Sequence, residues 1–330
     1  LIDGPEKARY AAEMASYAAS VARATPDDHA SRVLARSAFL FLPEFVRVSR
    51  QVRNGLRPTK KDKNEVNEIK QMLNDLERRD WGPYKVVRDR VAAHRQPIGG
   101  VDDARAWAEA NRLWSELDAS VVGILVDDAI EIWNALAPYV NQAPLLGLPE
   151  IDERDLGELA SEGSAGVRIG AGSFDETRRD SISIIQGGDV GERLREVADT
   201  IDHFEILVDA YGGLKANLSC RRLLTSAFVI EINGLVELVL EIPAGRSPSH
   251  RYQPLVDLVG EKTPEYAPLA LARDSIPMRE MRQLRDIRNK ICAHIDDRVP
   301  LRQLLRSLDT LDFGTAQAVW DHVDQALVAS

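Results

Sequence analysis

A chain of 330 residues, 44% hydrophobic and 28% charged, has the material for two ordinary domains and excludes wholesale disorder. Two cysteines, neither in a CxxC pair, argue against a disulfide scaffold or a cysteine-rich zinc site and point to a reducing cytoplasm. The net charge of −10 opposes sequence-blind attraction to nucleic acid, so any such contact has to come from a local site.

No apolar stretch approaches the ~20 residues of a membrane span, so no membrane partner is expected. Residues 1–6 lack the regions of a secretory signal, while the absent Met leaves a trimmed leader open. Periodicity is helical almost throughout. Tyr10, Met14, Tyr17 and Val21 recur at spacings of four, three and four on a first helix that Pro5 opens and Pro26 closes. A second helix is predicted over 27–53, with Pro43 expected to kink it. Polar residues 60–70 lead into a third helix, and Gly82 and Pro83 break the chain before a short helix ending near His94. Asp102 caps a helix carrying Trp107, Trp114 and Leu117, and the next holds Val122, Leu125, Ile132 and Trp133.

The character changes after Asn141, where Pro144, Gly147, Pro149 and the run at 163–166 read as turns and linker. Two β-like patches, 167–169 and 182–185, fit a small hairpin. Helical texture resumes near Gly191 with Leu194, Val197, Ile201, Phe204 and Val208. A strongly apolar helix over 220–242, a loop at 245–250, a helix over 275–294 and a terminal helix with Val319, Val323 and Leu327 complete the chain. The predicted fold class is all-α: helical-bundle modules at 1–143 and 190–330, related by an internal pseudo-two-fold and joined by an irregular segment at 144–189.

Two modules are expected because the sequence repeats itself. Arg88-Asp89-Arg90-Val91-Ala92-Ala93-His94 aligns without gaps to Arg288-Asn289-Lys290-Ile291-Cys292-Ala293-His294. Upstream, Ser37-Ala38-Phe39 matches Ser226-Ala227-Phe228. The heptapeptides lie 200 residues apart and the triplets 189, so the second copy carries about eleven extra residues between the landmarks, a loop-sized difference. A single Arg six positions before a His is unremarkable in this composition, but two that agree at the surrounding positions indicate duplication.

On an ideal α-helix six residues rise ~9 Å and leave Arg and His ~120° apart, so one pair is not stacked on its own helix. Guanidinium binds phosphate oxygens through paired donors and imidazole moves protons near neutrality, a combination suited to phosphodiester chemistry. RNA supplies its own nucleophile, the 2′-OH, so cleavage requires no metal or cofactor. The short polar residues Asp89 and Asn289 can orient the Arg or His by hydrogen bonding.

These heptapeptides resemble the hallmark of the HEPN superfamily of helical nucleases and nucleotide-binding domains. That hallmark is an Arg, often followed by Asn, Asp or His, and then a His at the end of a late helix in a bundle. Ala before His looks most like the abortive-infection members of bacterial defence. The resemblance covers both helical halves but not the linker. It implies metal-independent RNA cleavage at a site usually formed across a two-fold, with Arg88, His94, Arg288 and His294 as catalytic residues. It also implies a polar residue facing the motif from an earlier helix. Glu44 and Asn233, each five residues after the matched Phe, are the candidates; the competing reading leaves Glu44 in solvent and Asn233 simply packed on its helix.

Basic residues gather near both motifs: Arg78, Arg79, Lys85, Arg90 and Arg95 in the first half, Arg279, Arg282, Arg285 and Lys290 in the second. They form either a local phosphate-binding surface or solvated faces paired with neighbours such as Glu77, Glu280 and Asp286. His29, His203, His250 and His322 show no metal-ligand spacing, and HExxH, Walker A and GxSxG motifs are absent. The leading expectation is a cytoplasmic endoribonuclease acting on RNA, with a toxin or phage-defence role, a regulatory or antitoxin partner and further self-association among the associated expectations. A non-catalytic nucleotide or RNA sensor and a helical protein-interaction scaffold are the alternatives.

Overall fold

The computed structural model describes residues 2–59, 62–79, 119–151, 189–212, 217–240, 254–292 and 295–330. Among them every regular element is a helix, as the periodicity predicts. Helix α1 (Gly4–Ala24) buries Tyr10, Met14 and Val21 with seven alanines. Those small side chains let it lie close along α2 (Asp28–Gly55), its most extensive packing partner. The Asp27 side chain caps α2 by accepting from the Ala30 N–H at 2.7 Å, and the helix runs unbroken through Pro43. Helices α3 (Lys63–Arg78) and α4 (Ala119–Leu136) complete the described part of the first half. Val122, Leu125, Ile132 and Trp133 are all buried on α4.

The chain leaves α4 through a 3₁₀ turn, Ala137–Val140, and its first irregular residues are pinned back on the helix. Trp133 Nε1 donates to Ala143 O at 3.1 Å, and the Asn134 side chain exchanges two hydrogen bonds with the Leu145 backbone. The predicted hairpin patches lie outside the described residues, as do the tryptophan-bearing helix with Trp107 and Trp114 and the loop at 245–250.

In the second half come α5 (Asp189–Gly212), α6 (Leu218–Val239), α7 (Leu255–Val259), α8 (Tyr266–Ser275) and α9 (Met278–Ile287). Helices α10 (Leu301–Asp309) and α11 (Phe313–Ala329) close it. The helix expected over 275–294 is α9, which starts at Met278 rather than Ser275 and gives way to a π-turn at Arg288. Pro277 disfavours helical backbone at the residue before it, and Ile276 is accordingly extended (φ −54°, ψ 139°), so α8 ends and α9 starts afresh. After α9 the chain widens into a π-turn over Arg288–Cys292.

One continuous apolar core runs through both halves. Helix α1 touches α6, and α2 touches α5. Polar contacts line that second junction: His29 Nε2 lies 2.7 Å from Asp202 Oδ2, and the Arg36 guanidinium lies within 3.0 Å of the His203 ring nitrogens. His322 Nε2 is 2.8 Å from Ala272 O, so these three histidines have structural partners, while His250 lies outside the described residues. Phe204 of α5 stacks on Trp320 of α11 with ring centroids 4.2 Å apart, which ties the terminal helix to the core. No described helix is long and apolar enough to cross a membrane.

Candidate functional site around the second motif

Arg88, Asp89, His94 and His294 lie outside the described residues, whereas Arg288 and Asn289 lie inside them. Arg288 opens the π-turn. Its extra backbone residue relative to an α-turn removes the ideal-helix geometry assumed from the six-residue spacing. The turn packs on α6, the helix that carries the matched triplet. Cys292, inside the heptapeptide, sits beside Ser226 of that triplet, so the two sequence landmarks of the second copy meet in space.

Arg288 is only 8% exposed. Its Nη1 donates to Glu237 Oε1 at 2.7 Å, and its Nε makes a longer bond of 3.3 Å to Asn289 Oδ1. Asn289 thus touches its neighbouring Arg, as its short polar side chain allows, while itself remaining exposed. Among the described residues the Nη2 group of Arg288 has no hydrogen-bond partner. Sequence reasoning missed Glu237. Its signal was present, because it stands four residues after Asn233 on α6 and therefore shares that residue's face.

Asn233 is completely buried. Its Nδ2 donates to Val229 O one turn earlier at 2.6 Å, while its Oδ1 has no partner among the described residues. Thus one part of the amide serves its own helix and the other is an unused acceptor one turn from the Arg288–Glu237 pair. Buried acceptors without partners are uncommon and call for an explanation.

Glu44 is also buried, at 3% exposure, which removes the reading of it as a solvent-facing residue beside Pro43. Its Oε2 accepts from Arg47 Nε (3.0 Å), Arg47 Nη2 (2.8 Å) and the Ile295 N–H (3.1 Å). A carboxylate of the first half therefore bonds the backbone one residue past His294 in sequence. Arg47 extends the contact: Nη2 donates to Ile295 O at 2.8 Å, and Nη1 to both carboxylate oxygens of Asp297 at 2.9 and 2.8 Å. Burial lowers the pKa of the Arg47 guanidinium, but Glu44 and Asp297 outweigh it, so the group is held above its ordinary value.

The basic residues divide. Lys290 pairs with Asp286 at 2.7 Å, Arg79 with Asp128 at 2.9 Å, and Glu77 with Arg50. Arg279 and Arg282, one turn apart on α9, are exposed and make no ion pair among the described residues. The ion-pairing reading thus holds for Lys290, Arg79 and Glu77, and Arg279 and Arg282 face solvent. Lys85, Arg90 and Arg95 lie outside the described residues.

No family model, curated protein or solved structure matches the chain.

Among the described residues no three His, Cys, Asp or Glu side chains are grouped to hold a metal ion. Both thiols are buried, and burial pushes each up to about 12; at Cys292 the Ser226 hydroxyl and the Arg288 charge pull the other way. The native protein is therefore expected to react with no thiol reagent at pH 8, and the denatured chain to release two equivalents. Ellman titration with and without guanidinium measures this, and a native thiol reacting within minutes would contradict it.

Proposed function

We propose that the chain is a tandem HEPN-like endoribonuclease, its two Arg/His pairs facing one another across an internal pseudo-two-fold to form one metal-independent site. The 2′-OH of the substrate attacks the adjacent phosphorus, forming the O2′–P bond as the P–O5′ bond breaks. One of His94 and His294 takes the 2′ proton and the other delivers a proton to the leaving oxygen. Arg88 and Arg288 bind the non-bridging oxygens and stabilise the charge that builds on them. The products are a 2′,3′-cyclic phosphate and a 5′-hydroxyl.

The observation that carries this reading is the convergence of both halves on one motif. Glu44 bonds the Ile295 N–H, Glu237 holds Arg288, and the buried Asn233 lies one turn before Glu237 on the same helix. The Nη2 of Arg288, without a hydrogen-bond partner among the described residues, is left to donate to a phosphate oxygen, and the exposed Arg279 and Arg282 supply local positive charge in an acidic protein. Asp89 follows Arg88 in sequence as Asn289 follows Arg288. A toxin or phage-defence role, a regulatory partner and a cytoplasmic setting rest on the family resemblance and composition. The test is cleavage of single-stranded RNA in excess chelator. Cyclic-phosphate ends and full resistance of a 2′-O-methyl substrate are expected; chelator-sensitive cleavage, or 5′-phosphate products, would overturn the mechanism.

One observation favours a second reading. Arg288 is largely buried and already paired with Glu237, as in a helix-end fastener of an interaction scaffold. Replacement of Arg288 would then move the melting temperature and nothing else.

A further inference from the structure

The clamp around Ile295 has a role that the two motifs alone do not provide. Three residues from the start of the chain reach a segment almost 250 or more positions away. Arg47 holds Ile295 and Asp297, the fully buried Lys7 donates from Nζ to Asp296 O at 2.7 Å, and Glu44 takes the Ile295 N–H. The backbone adds two ties: Ile2 N–H to Asp297 O at 3.0 Å, and Leu301 N–H to the Asp3 side chain at 2.9 Å.

Both polar backbone groups of Ile295 are thus satisfied by side chains of α2. The fixed segment is in turn fastened to the π-turn, since the Asp296 N–H donates to Lys290 O at 2.9 Å. A physical chain runs from Arg47 through residues 295–297 to the turn that begins with Arg288. Helix α6 fixes the other side of that turn through Glu237. A π-turn gives up regular α-helical hydrogen bonding and needs such external support to keep one geometry.

We propose that Arg47 is a positioning residue for the second motif, by which the first half of the chain sets the placement of Arg288. Its guanidinium is suited to the task because the planar fork spans two carboxylates and a carbonyl at once, which a lysine ammonium cannot do with the same geometry. Only the kinetic arm of its test rests on the ribonuclease reading.

The experiment compares the full-length chain with Arg47→Lys and Arg47→Ala. Arg47→Lys keeps the charge and is the variant expected to fold with a melting temperature close to wild type. Hydrogen exchange at the Ile295 and Asp296 amides is expected to quicken about tenfold, the loss of roughly one hydrogen bond's protection. The Arg288 Nε–Hε NMR resonance is expected to shift, and kcat on single-stranded RNA to fall about tenfold with KM unchanged. Unaltered exchange and an unmoved Arg288 resonance in both variants would overturn the proposal. So would a lower melting temperature with the Arg288 resonance in place, because Arg47 would then be structural only. If the wild-type chain cleaves no RNA, the ribonuclease reading fails by itself, and the exchange and resonance measurements still decide the role of Arg47.

Discussion

Arg288→Ala is expected to slow RNA cleavage by about 10²- to 10³-fold, the usual cost of losing one group that stabilises transition-state charge. The loss should fall on kcat rather than KM, because donors aimed at the non-bridging oxygens act most strongly as charge develops there. Arg288→Lys should recover little of it. Lysine keeps the charge beside Glu237 but has no planar pair of donors to hold Glu237 and a phosphate together. Truncation also leaves the Glu237 carboxylate, about one-fifth exposed, without its partner, and costs roughly 1–3 kcal/mol of stability. Single-turnover kinetics beside a denaturant melt separate the two effects. A stability loss of that size with unchanged cleavage would leave Arg288 a fastener and remove it from the chemistry.

Glu44→Ala should be the most destabilising single change at the junction between the halves. It removes the acceptor of the buried Ile295 N–H and two of the bonds that hold Arg47. Breaking a buried pair from one side costs about 3–5 kcal/mol. The lower end applies here, since Arg47 is about one-third exposed and keeps Asp297. At about 3 kcal/mol the melting temperature of a 330-residue chain falls by roughly 4 °C. Glu44→Gln retains an amide oxygen for Ile295 and should cost about half as much. A melt that Glu44→Ala leaves unchanged would contradict the clamp.

Much of the fold was legible because burial here follows helical periodicity. The stripe of Tyr10, Met14 and Val21 marked α1, and Val197, Ile201 and Phe204 marked α5. What the sequence concealed has identifiable physical causes. Helix α8 was missed because it is short, carries Pro268 in its first turn and is followed closely by Pro277, so its periodic signal is weak. The π-turn leaves no comparable mark, since one extra residue per turn hardly disturbs a five-residue pattern.

Within the candidate site, the polar second position of the motif was readable: Asn289 does bond Arg288. Glu237 went unnoticed because a carboxylate on an apolar helix declares its role only when its partner's position is known. The burial of Glu44 and the reach of Lys7 depend on contacts 251 and 289 residues apart in sequence, and no local pattern encodes them. The matched triplets are instructive in the other direction. Ser37-Ala38-Phe39 and Ser226-Ala227-Phe228 are both buried, each on the helix that the alignment assigned to it.

The central claim is that both Arg/His pairs serve one site. It is tested most directly by measuring RNA cleavage in chelator by His94→Ala and His294→Ala, each prepared separately and confirmed to be folded. If one histidine takes the proton that the other returns, each variant should lose about 10²-fold or more, and mixing the two should restore nothing beyond their sum. Full activity in either variant would contradict the account.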